Sequence, residues 1–225
     1  MYNIDKCIDS FFNYGSTKFL DLKEQRLVSS NLSSKKYKVY KPYKDSEKVI
    51  FYKDSPYNVI LYELKTLGNL THQQILGTLF SLGIDQSMYG DILIIDGRYF
   101  VYILESIEEY LLLYFSSVAN NKIELIKCDI DLLKDYEREY EEIKIISSSS
   151  RIDTVVAHLI NSNRESASDM IKDKLVLVNN DNVRHTYVLK NGDIFSIRRF
   201  GKYKFDDVIT ETRKGNFIYR ILKYK

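Results

Sequence analysis

The stretch RIDTVVAHLINSNRESASDMIKDKLVLVN, from Arg151 to Asn179, decides the fold of the C-terminal part of the chain. Its apolar residues have the i, i+3, i+4, i+7, i+8 spacing of a one-faced amphipathic helix, at Ile152, Val155, Val156, Leu159 and Ile160. A second short helix is predicted to begin at Ser162 or Asn163, because Ser162 and Glu165 fit a capping box while Asn163 could equally be the cap. LVLVN at 175–179 is typical of a strand.

Turn residues divide the sequence that follows into short strands. Asn179 to Asn182 and Asn191-Gly192 are typical of turns, and YVL (187–189) and DIFSI (193–197) are typical of strands. Two helices followed by a small sheet would form one compact module. SSSS at 147–150 is the clearest boundary in the chain, so we predict a C-terminal domain over 147–225.

This module resembles the S4-type RNA-binding domain. The matching blocks, in the family's order and spacing, are RID (151–153), Asn163-Arg164, Met170-Ile171-Lys172, VLVN (176–179) and NGDIFSI (191–197). The resemblance implies an S4-type (alpha-L) fold. The chain departs from the family pattern at Lys174, where the family has glycine, and at Ser166, where it has a basic residue. The second helix is therefore expected to end without the residue that most easily takes a left-handed conformation.

Upstream, residues 56–146 alternate between strand and helix patterns. Strands are predicted at 58–66, 91–96, 98–104 and 121–129, a helix capped by Thr71, and another helix at 105–119. The order β-α-β-β-α-β predicts an RRM-like or ferredoxin-like middle domain. The charged residues 131–142 are predicted to be a helical connection.

The first segment, 1–55, combines a helical pattern at 19–32 with a strand pattern at 48–54. It is predicted to be a small α/β segment. The fold class of the whole chain is therefore α+β, with an N-terminal segment, a middle domain and a C-terminal domain.

Motifs outside the C-terminal module resemble the YlmH family of bacterial S4 proteins. They are LTHQQILGTLFSLGI (70–84), GDILIIDGRYFV (90–101), FLDLKEQRL (19–27), FGKYKF (200–205) and ETRKG (211–215). The resemblance implies a ribosome-associated quality-control factor. Such a factor binds rRNA and tRNA on large ribosomal subunits obstructed by peptidyl-tRNA and assists tail synthesis on the stalled chain.

The charge is divided unevenly along the chain. From Arg151 onward there are 15 Lys and Arg against 9 Asp and Glu, a net charge of +6; the preceding residues have 18 against 22, a net charge of −4. A basic C-terminal third favours a polyanionic partner. Charge alone does not separate RNA from DNA or from an acidic protein.

The candidate RNA-binding residues all lie in this basic third. Arg151 and Arg164 begin the two predicted helices, where backbone N–H groups already favour anions and a guanidinium can bind a phosphate with two hydrogen bonds. The other candidates are Lys172, Arg184, His185, Arg198, Arg199, Lys202, Tyr203 and Lys204. The cations could instead be merely solvated. Phe200 and Tyr203, which alternate with these cations, could either stack on an unpaired base or pack within a strand. We expect recognition of RNA by shape and backbone rather than by base sequence.

Aromatic residues in the middle domain allow two interpretations. Arg98 to Tyr102 has the aromatic content of an RRM base-stacking strand but lacks its glycine-aromatic spacing, so core packing is favoured. His72 could cap or pack against its helix, or contact the ribosome or tRNA.

No catalytic pattern is present in the sequence. It has no G-x-x-x-x-G-K or G-x-G-x-x-G motif, and Cys7 and Cys128 are isolated. We therefore expect a non-catalytic protein without cofactor or metal. The apolar runs are far shorter than the roughly 20 residues of a membrane span, and MYNIDKCIDSFF (1–12) has no apolar signal region, so we expect it to be cytoplasmic and without a membrane partner. We also expect it to be a monomer. The alternative function is a protein-interaction adaptor whose acidic first part does the work, with the basic domain as a generic RNA tether.

Overall fold

A computed structural model describes residues 4–32, 36–213 and 215–225. Lys214 of the ETRKG motif lies outside the described residues. The chain divides into two compact units, residues 1–137 and 138–225. The predicted domain boundaries after residues 55 and 146 stay predictions.

The N-terminal segment of the first unit contains two helices and a two-stranded ribbon. They are α1 (Ile4–Tyr14), α2 (Leu22–Asn31), β1 (Lys38–Tyr40) and β2 (Ile50–Tyr52). Helix α2 lies within the predicted helix, and β2 lies within the predicted strand. Asp21 and Glu24 form a reciprocal capping box, which fixes the start of α2.

The middle part of the first unit contains the predicted element order β-α-β-β-α-β. Its elements are β3 (Val59–Lys65), α3 (His72–Ser81), β4 (Tyr89–Ile95), β5 (Arg98–Leu104), α4 (Glu108–Tyr114), β6 (Ser117–Val118), β7 (Asn121–Lys122) and β8 (Glu124–Cys128). The sheet order is β4-β5-β3-β8 with antiparallel neighbours, and β6 and β7 form an additional short hairpin before β8. The α+β class is confirmed.

Both faces of this middle sheet are covered. Alternate residues such as Tyr62 and Val101 pack with Ile75 and Leu111 of the two helices. The intervening residues pack with the N-terminal segment and with residues 130–136, in a cluster that includes Phe19, Tyr43, Ile50, Leu61, Phe100 and Tyr102. Successive strand residues therefore belong to two different hydrophobic clusters, one on each face of the sheet.

The helix predicted at 131–142 is wrong. The Asp129 carboxylate accepts a hydrogen bond from the Asp131 backbone N–H at 2.9 Å, an Asx turn that competes with helix formation. Successive turn hydrogen bonds follow to Tyr136, and a strand begins at Tyr140.

The second unit is a six-stranded antiparallel sheet with two helices. Its elements are β9 (Tyr140–Ser147), α5 (Ile152–Leu159), α6 (Arg164–Lys172), β10 (Val176–Val178), β11 (Asp181–Asn182), β12 (Ile194–Ile197), β13 (Gly201–Glu211) and β14 (Phe217–Tyr224). The sheet order is β11-β10-β12-β13-β14-β9. The helices pack against one face of this sheet, through residues such as Val155, Ala167 and Phe195.

The strand predicted at 187–189 is wrong. This segment makes only an isolated bridge, between Val188 and Arg151. Its backbone pairs with the residues before and at the start of α5, because Ile152 N–H donates to Tyr187 O at 2.8 Å and Leu189 N–H donates to Ser150 O at 2.9 Å.

Helix α6 ends in a Schellman motif built on lysine. Lys174 has φ +58°, its N–H donates to Ile171 O at 3.1 Å, and Leu175 N–H donates to Met170 O at 2.9 Å. Lys174 therefore adopts the left-handed conformation that the family pattern assigns to glycine.

Candidate nucleic-acid interface

Two predicted site residues share one buried carboxylate. Arg151 Nη2 lies 2.8 Å from Asp153 Oδ2, and Arg164 Nε lies 3.0 Å from the same oxygen. The Asp153 side chain is 1% exposed, whereas that of Arg164 is 53% exposed. Burial would raise the pKa of Asp153, but hydrogen bonds from the two guanidinium groups outweigh it and hold the pKa below its ordinary value. The cluster thus carries a net positive charge, and the buried Asp153 carboxylate holds both arginines in place.

The starts of α5 and α6 meet at this cluster. Arg151 is the N-cap residue of α5, and Arg164 is the first residue of α6. Asn163 caps α6, since its side-chain oxygen accepts from Ser166 N–H at 2.8 Å. Of the two predicted caps, Asn163 is therefore the one used. Each guanidinium has five N–H donors, so neither arginine is saturated by Asp153.

A turn containing two more candidates lies beside the start of α5. Tyr187 N–H donates to Arg184 O at 2.9 Å, and Tyr187 O accepts from Ile152 N–H at 2.8 Å. These contacts place Arg184 and His185 near Arg151. Arg184 is exposed and His185 is partly exposed.

The remaining cations lie toward the other end of α6. Lys172 ends that helix and pairs with Asp169 at 2.8 Å. Arg198 N–H donates to Leu175 O at 2.8 Å, so the β12–β13 turn lies against the residues that follow α6. With a rise of about 1.5 Å per residue, the ends of this helix are roughly 12 Å apart. The structure therefore brings the candidates together in two groups rather than one.

Successive residues of β13 face opposite sides of the sheet, so Tyr203 faces the other side from Lys202 and Lys204. Lys202 and Lys204 are partly exposed, and the Lys202 ammonium lies 5.2 Å from the centre of the Tyr224 ring. Tyr203 is 3% exposed and stacks on Phe195 with a centroid distance of 5.4 Å. The Tyr203 ring therefore belongs to the core, and the burial of the ring does not support the RNA contact predicted for it. Phe200, in contrast, is 43% exposed.

Lys174 is a further cation beside the second group, and the sequence pattern does not place it among the candidates. It is exposed, and it lies next to Leu175, whose carbonyl oxygen accepts the hydrogen bond from Arg198 N–H. The sequence did single it out, but as a departure from the family pattern rather than as a cation of the interface.

The Asn-Gly-Asp motif at 191–193 has a structural role. The Asp193 carboxylate is 8% exposed and accepts hydrogen bonds from Asn179 Nδ2 at 2.7 Å, Tyr187 Oη at 3.0 Å and Lys190 N at 2.9 Å. It ties the turn after β10 to the turn before β12. This network supports the loop that carries Arg184 and His185.

In the middle part, the aromatic strand is a packing element. Phe100 is 1% exposed and Tyr102 is 0% exposed, both on the face covered by the N-terminal segment. The packing interpretation of Arg98 to Tyr102 is therefore the one the structure supports. Thr71 caps α3, and His72 is exposed at the first helical position.

Within the described residues, no group of three or more His, Cys, Asp or Glu side chains is arranged to hold a metal ion. In the same parts of the chain, no helix is long and apolar enough to span a bilayer.

Comparison with known proteins shows what this chain is similar to. Residues 53–131 match the family model described as "Putative RNA-binding domain in YlmH". The "Ribosome-associated protein quality control protein P2" of Bacillus subtilis (strain 168) is 24% identical over 150 residues, which cover 66% of this chain and 58% of that protein. The match thus spans less than two thirds of the relative. The solved structure "Cell division protein ylmH from Streptococcus pneumoniae" is 16% identical with a TM-score of 0.48, covering 59% of this chain and 90% of that chain. The resemblance to the YlmH family is confirmed.

Proposed function

We propose that this chain is a non-catalytic RNA-binding protein that binds rRNA and tRNA on the large ribosomal subunit, on stalled subunits obstructed by peptidyl-tRNA. It would act as a cytoplasmic monomer in ribosome-associated quality control. The single observation that carries the RNA-binding part is the Arg151–Asp153–Arg164 cluster at the meeting helix starts. The quality-control setting is supported by the relative's name.

The cluster suits phosphate binding because its arginines are already oriented. A flexible arginine loses side-chain entropy when it binds, whereas Asp153 holds both guanidinium groups before RNA arrives. Their remaining N–H groups can bind phosphate oxygens with paired hydrogen bonds. Such contacts follow the shape and backbone of a folded RNA rather than its base sequence.

The two units have different parts in this proposal. We assign the second unit to the S4 type, on its helix pair, the left-handed residue at 174 and the strands that follow. We assign the middle part of the first unit, from β3 to β8, to the RRM-like type, on the strand order β4-β5-β3-β8. RNA would bind mainly to the second unit, because the aromatic face of the middle sheet is buried.

The test is co-sedimentation with large ribosomal subunits, either empty or carrying peptidyl-tRNA. The variant is Arg164→Gln combined with Arg198→Ala; glutamine keeps a donor for Asp153 while removing the charge. The matched control is Lys6→Ala with Lys41→Ala, two exposed lysines of the first unit that lie before the residues matching the RNA-binding family model. We expect strong preference for the occupied subunit, lost in the arginine variant and kept in the lysine control.

A second candidate, the protein-interaction adaptor, is favoured by exposed apolar side chains on the first unit. Phe80 of α3 is 74% exposed, and Tyr110, Leu113 and Tyr114 of α4 are 44%, 69% and 53% exposed. The Tyr110 hydroxyl donates to Leu82 O at 3.0 Å, which brings α4 to the end of α3. Exposed apolar patches often mark protein contacts. Equal binding to empty and occupied subunits, unaffected by the arginine variant, would favour the adaptor.

A further inference from the structure

We infer that Phe200 is a base-stacking site, held by the β12–β13 turn as a rigid exposed platform for an unpaired nucleobase of RNA. This inference rests on the proposed RNA-binding function and adds the chemical group that this corner of the second unit would bind. It also separates the roles of two aromatic residues that the sequence pattern treats alike, because Phe200 is exposed and Tyr203 is buried.

The turn surrounds Phe200 with cations. Arg198 and Arg199 precede it directly, and both are exposed. Neither guanidinium forms an ion pair with any residue that the structure describes. The backbone bond from Arg198 N–H to Leu175 O, at 2.8 Å, brings Lys174 to the same corner. An exposed ring beside several cations matches the combination with which proteins bind unpaired RNA, in which a base stacks on the ring while phosphates meet the charges.

The backbone of the turn is fixed on both sides of the ring. Phe200 N–H donates to Ile197 O at 2.9 Å, and Phe200 O accepts from the Tyr203 hydroxyl at 3.0 Å. Arg199 has φ +72°, a conformation that a side-chain-bearing residue keeps only when its surroundings impose it. Phe200 is therefore displayed in a defined place rather than on a mobile loop.

Tyr203 is the positioning residue of this site. Its ring stacks on Phe195 with an interplanar angle of 18°, which anchors the hydroxyl that binds Phe200 O. This hydrogen bond therefore connects a buried ring of the core with the backbone of the exposed turn. In this arrangement Tyr203 contributes to RNA binding without touching the RNA.

The experiment measures binding of the full chain to two RNA probes. One is a hairpin with an unpaired loop that contains 2-aminopurine, and the other is a fully paired duplex of the same stem. The variants are Phe200→Ala, Phe200→Trp and Tyr203→Phe, and the matched control is Phe80→Ala, which removes another exposed phenylalanine. Loop fluorescence reports stacking directly.

We expect Phe200→Ala to weaken hairpin binding about tenfold or more, to abolish the fluorescence quenching and to leave duplex binding unchanged. Phe200→Trp should keep both affinity and quenching, and Tyr203→Phe should lose part of each. Equal hairpin affinity and quenching for wild type and Phe200→Ala would overturn the inference. If wild type binds neither RNA, the proposed RNA-binding function itself falls, and this inference falls with it.

Discussion

At the scale of single residues, Tyr99 and Tyr102, two of the buried tyrosines of the first unit, have opposite hydrogen-bonding states. The Tyr99 hydroxyl accepts a hydrogen bond from Leu70 N–H at 2.9 Å. The Tyr102 hydroxyl is buried and has no partner among the described residues. Burial raises the pKa of Tyr102, which keeps the hydroxyl neutral.

These states predict opposite effects of removing each hydroxyl. Tyr102→Phe should leave the free energy of unfolding unchanged or raise it slightly, because an unpaired buried hydroxyl is lost. Tyr99→Phe should lower it by about 1–3 kcal/mol, because the Leu70 N–H loses its partner inside the core. Urea denaturation of the two variants checks this, and equal losses of stability would contradict it.

Asp153 is the residue on which charge and geometry make opposite predictions. Asp153→Asn raises the net charge by one, so general electrostatics would predict tighter RNA binding. We expect weaker binding, because the carboxylate orients both arginines, and a stability loss of about 1–3 kcal/mol.

The measurement is RNA affinity beside thermal unfolding for Asp153→Asn and for the control Asp169→Asn. Asp169 is an exposed carboxylate on the same helix pair, and its removal makes the same change in charge. Tighter binding by both variants would show that only the net charge matters.

At the scale of elements, the start of α2 makes the first unit sensitive to pH. Glu24 at the third helical position accepts from Asp21 N–H at 2.9 Å, and burial raises its pKa from 4.5 to about 7. The folded state therefore holds this proton more tightly than the unfolded chain. Protonated Glu24 therefore adds to the free energy of unfolding. This contribution is fully present below pH 4.5 and is lost as the pH rises through about 7.

The variant Glu24→Gln removes this titration while keeping a capping-box acceptor. Its free energy of unfolding should fall less than that of wild type between about pH 5 and pH 8. Urea denaturation at both pH values is the measurement, with Glu109→Gln on the exposed side of α4 as the control. Parallel pH profiles for wild type and Glu24→Gln would refute the assignment.

Elements with local signals were predictable and those with distant partners were not. Thr71 and Asn163 are caps that can be identified from neighbouring residues, and both do cap their helices. Strand β9 pairs with β14, far along the chain, and the sequence around it suggested a charged helix instead. Only tertiary pairing decides such a strand.

The candidate site follows the same rule: its positions at helix starts have local signals, whereas its tertiary contacts do not. Arg151 and Arg164 stand at helix starts in the sequence, but no local pattern showed that Asp153 joins them. The burial of Tyr203 beside exposed Phe200 depends on which face of β13 meets the core. That face is set by pairing with β12 and β14.

At the scale of the whole molecule, the uneven charge predicts strongly salt-dependent RNA binding. Each phosphate neutralised contributes about 0.7–0.9 to the slope of log affinity against log salt concentration. Arg198→Ala should reduce that slope by about one phosphate's share, and Lys41→Ala should not change it. Fluorescence titrations of the hairpin RNA across a salt series test this; an unchanged slope for Arg198→Ala would remove that residue from the interface.

Because both faces of the middle sheet are covered, the residues that match the family model are fewer than those that must fold together. Residues 53–131 match the family model, yet Leu61, Phe100 and Tyr102 within them are buried by Phe19, Tyr43 and Ile50, which lie before that match. An excised 53–131 fragment would present an open apolar sheet to solvent and aggregate. The smallest piece of the first unit that can be studied alone must therefore include the preceding segment, because a shorter fragment would report misfolding rather than the properties of the folded sheet.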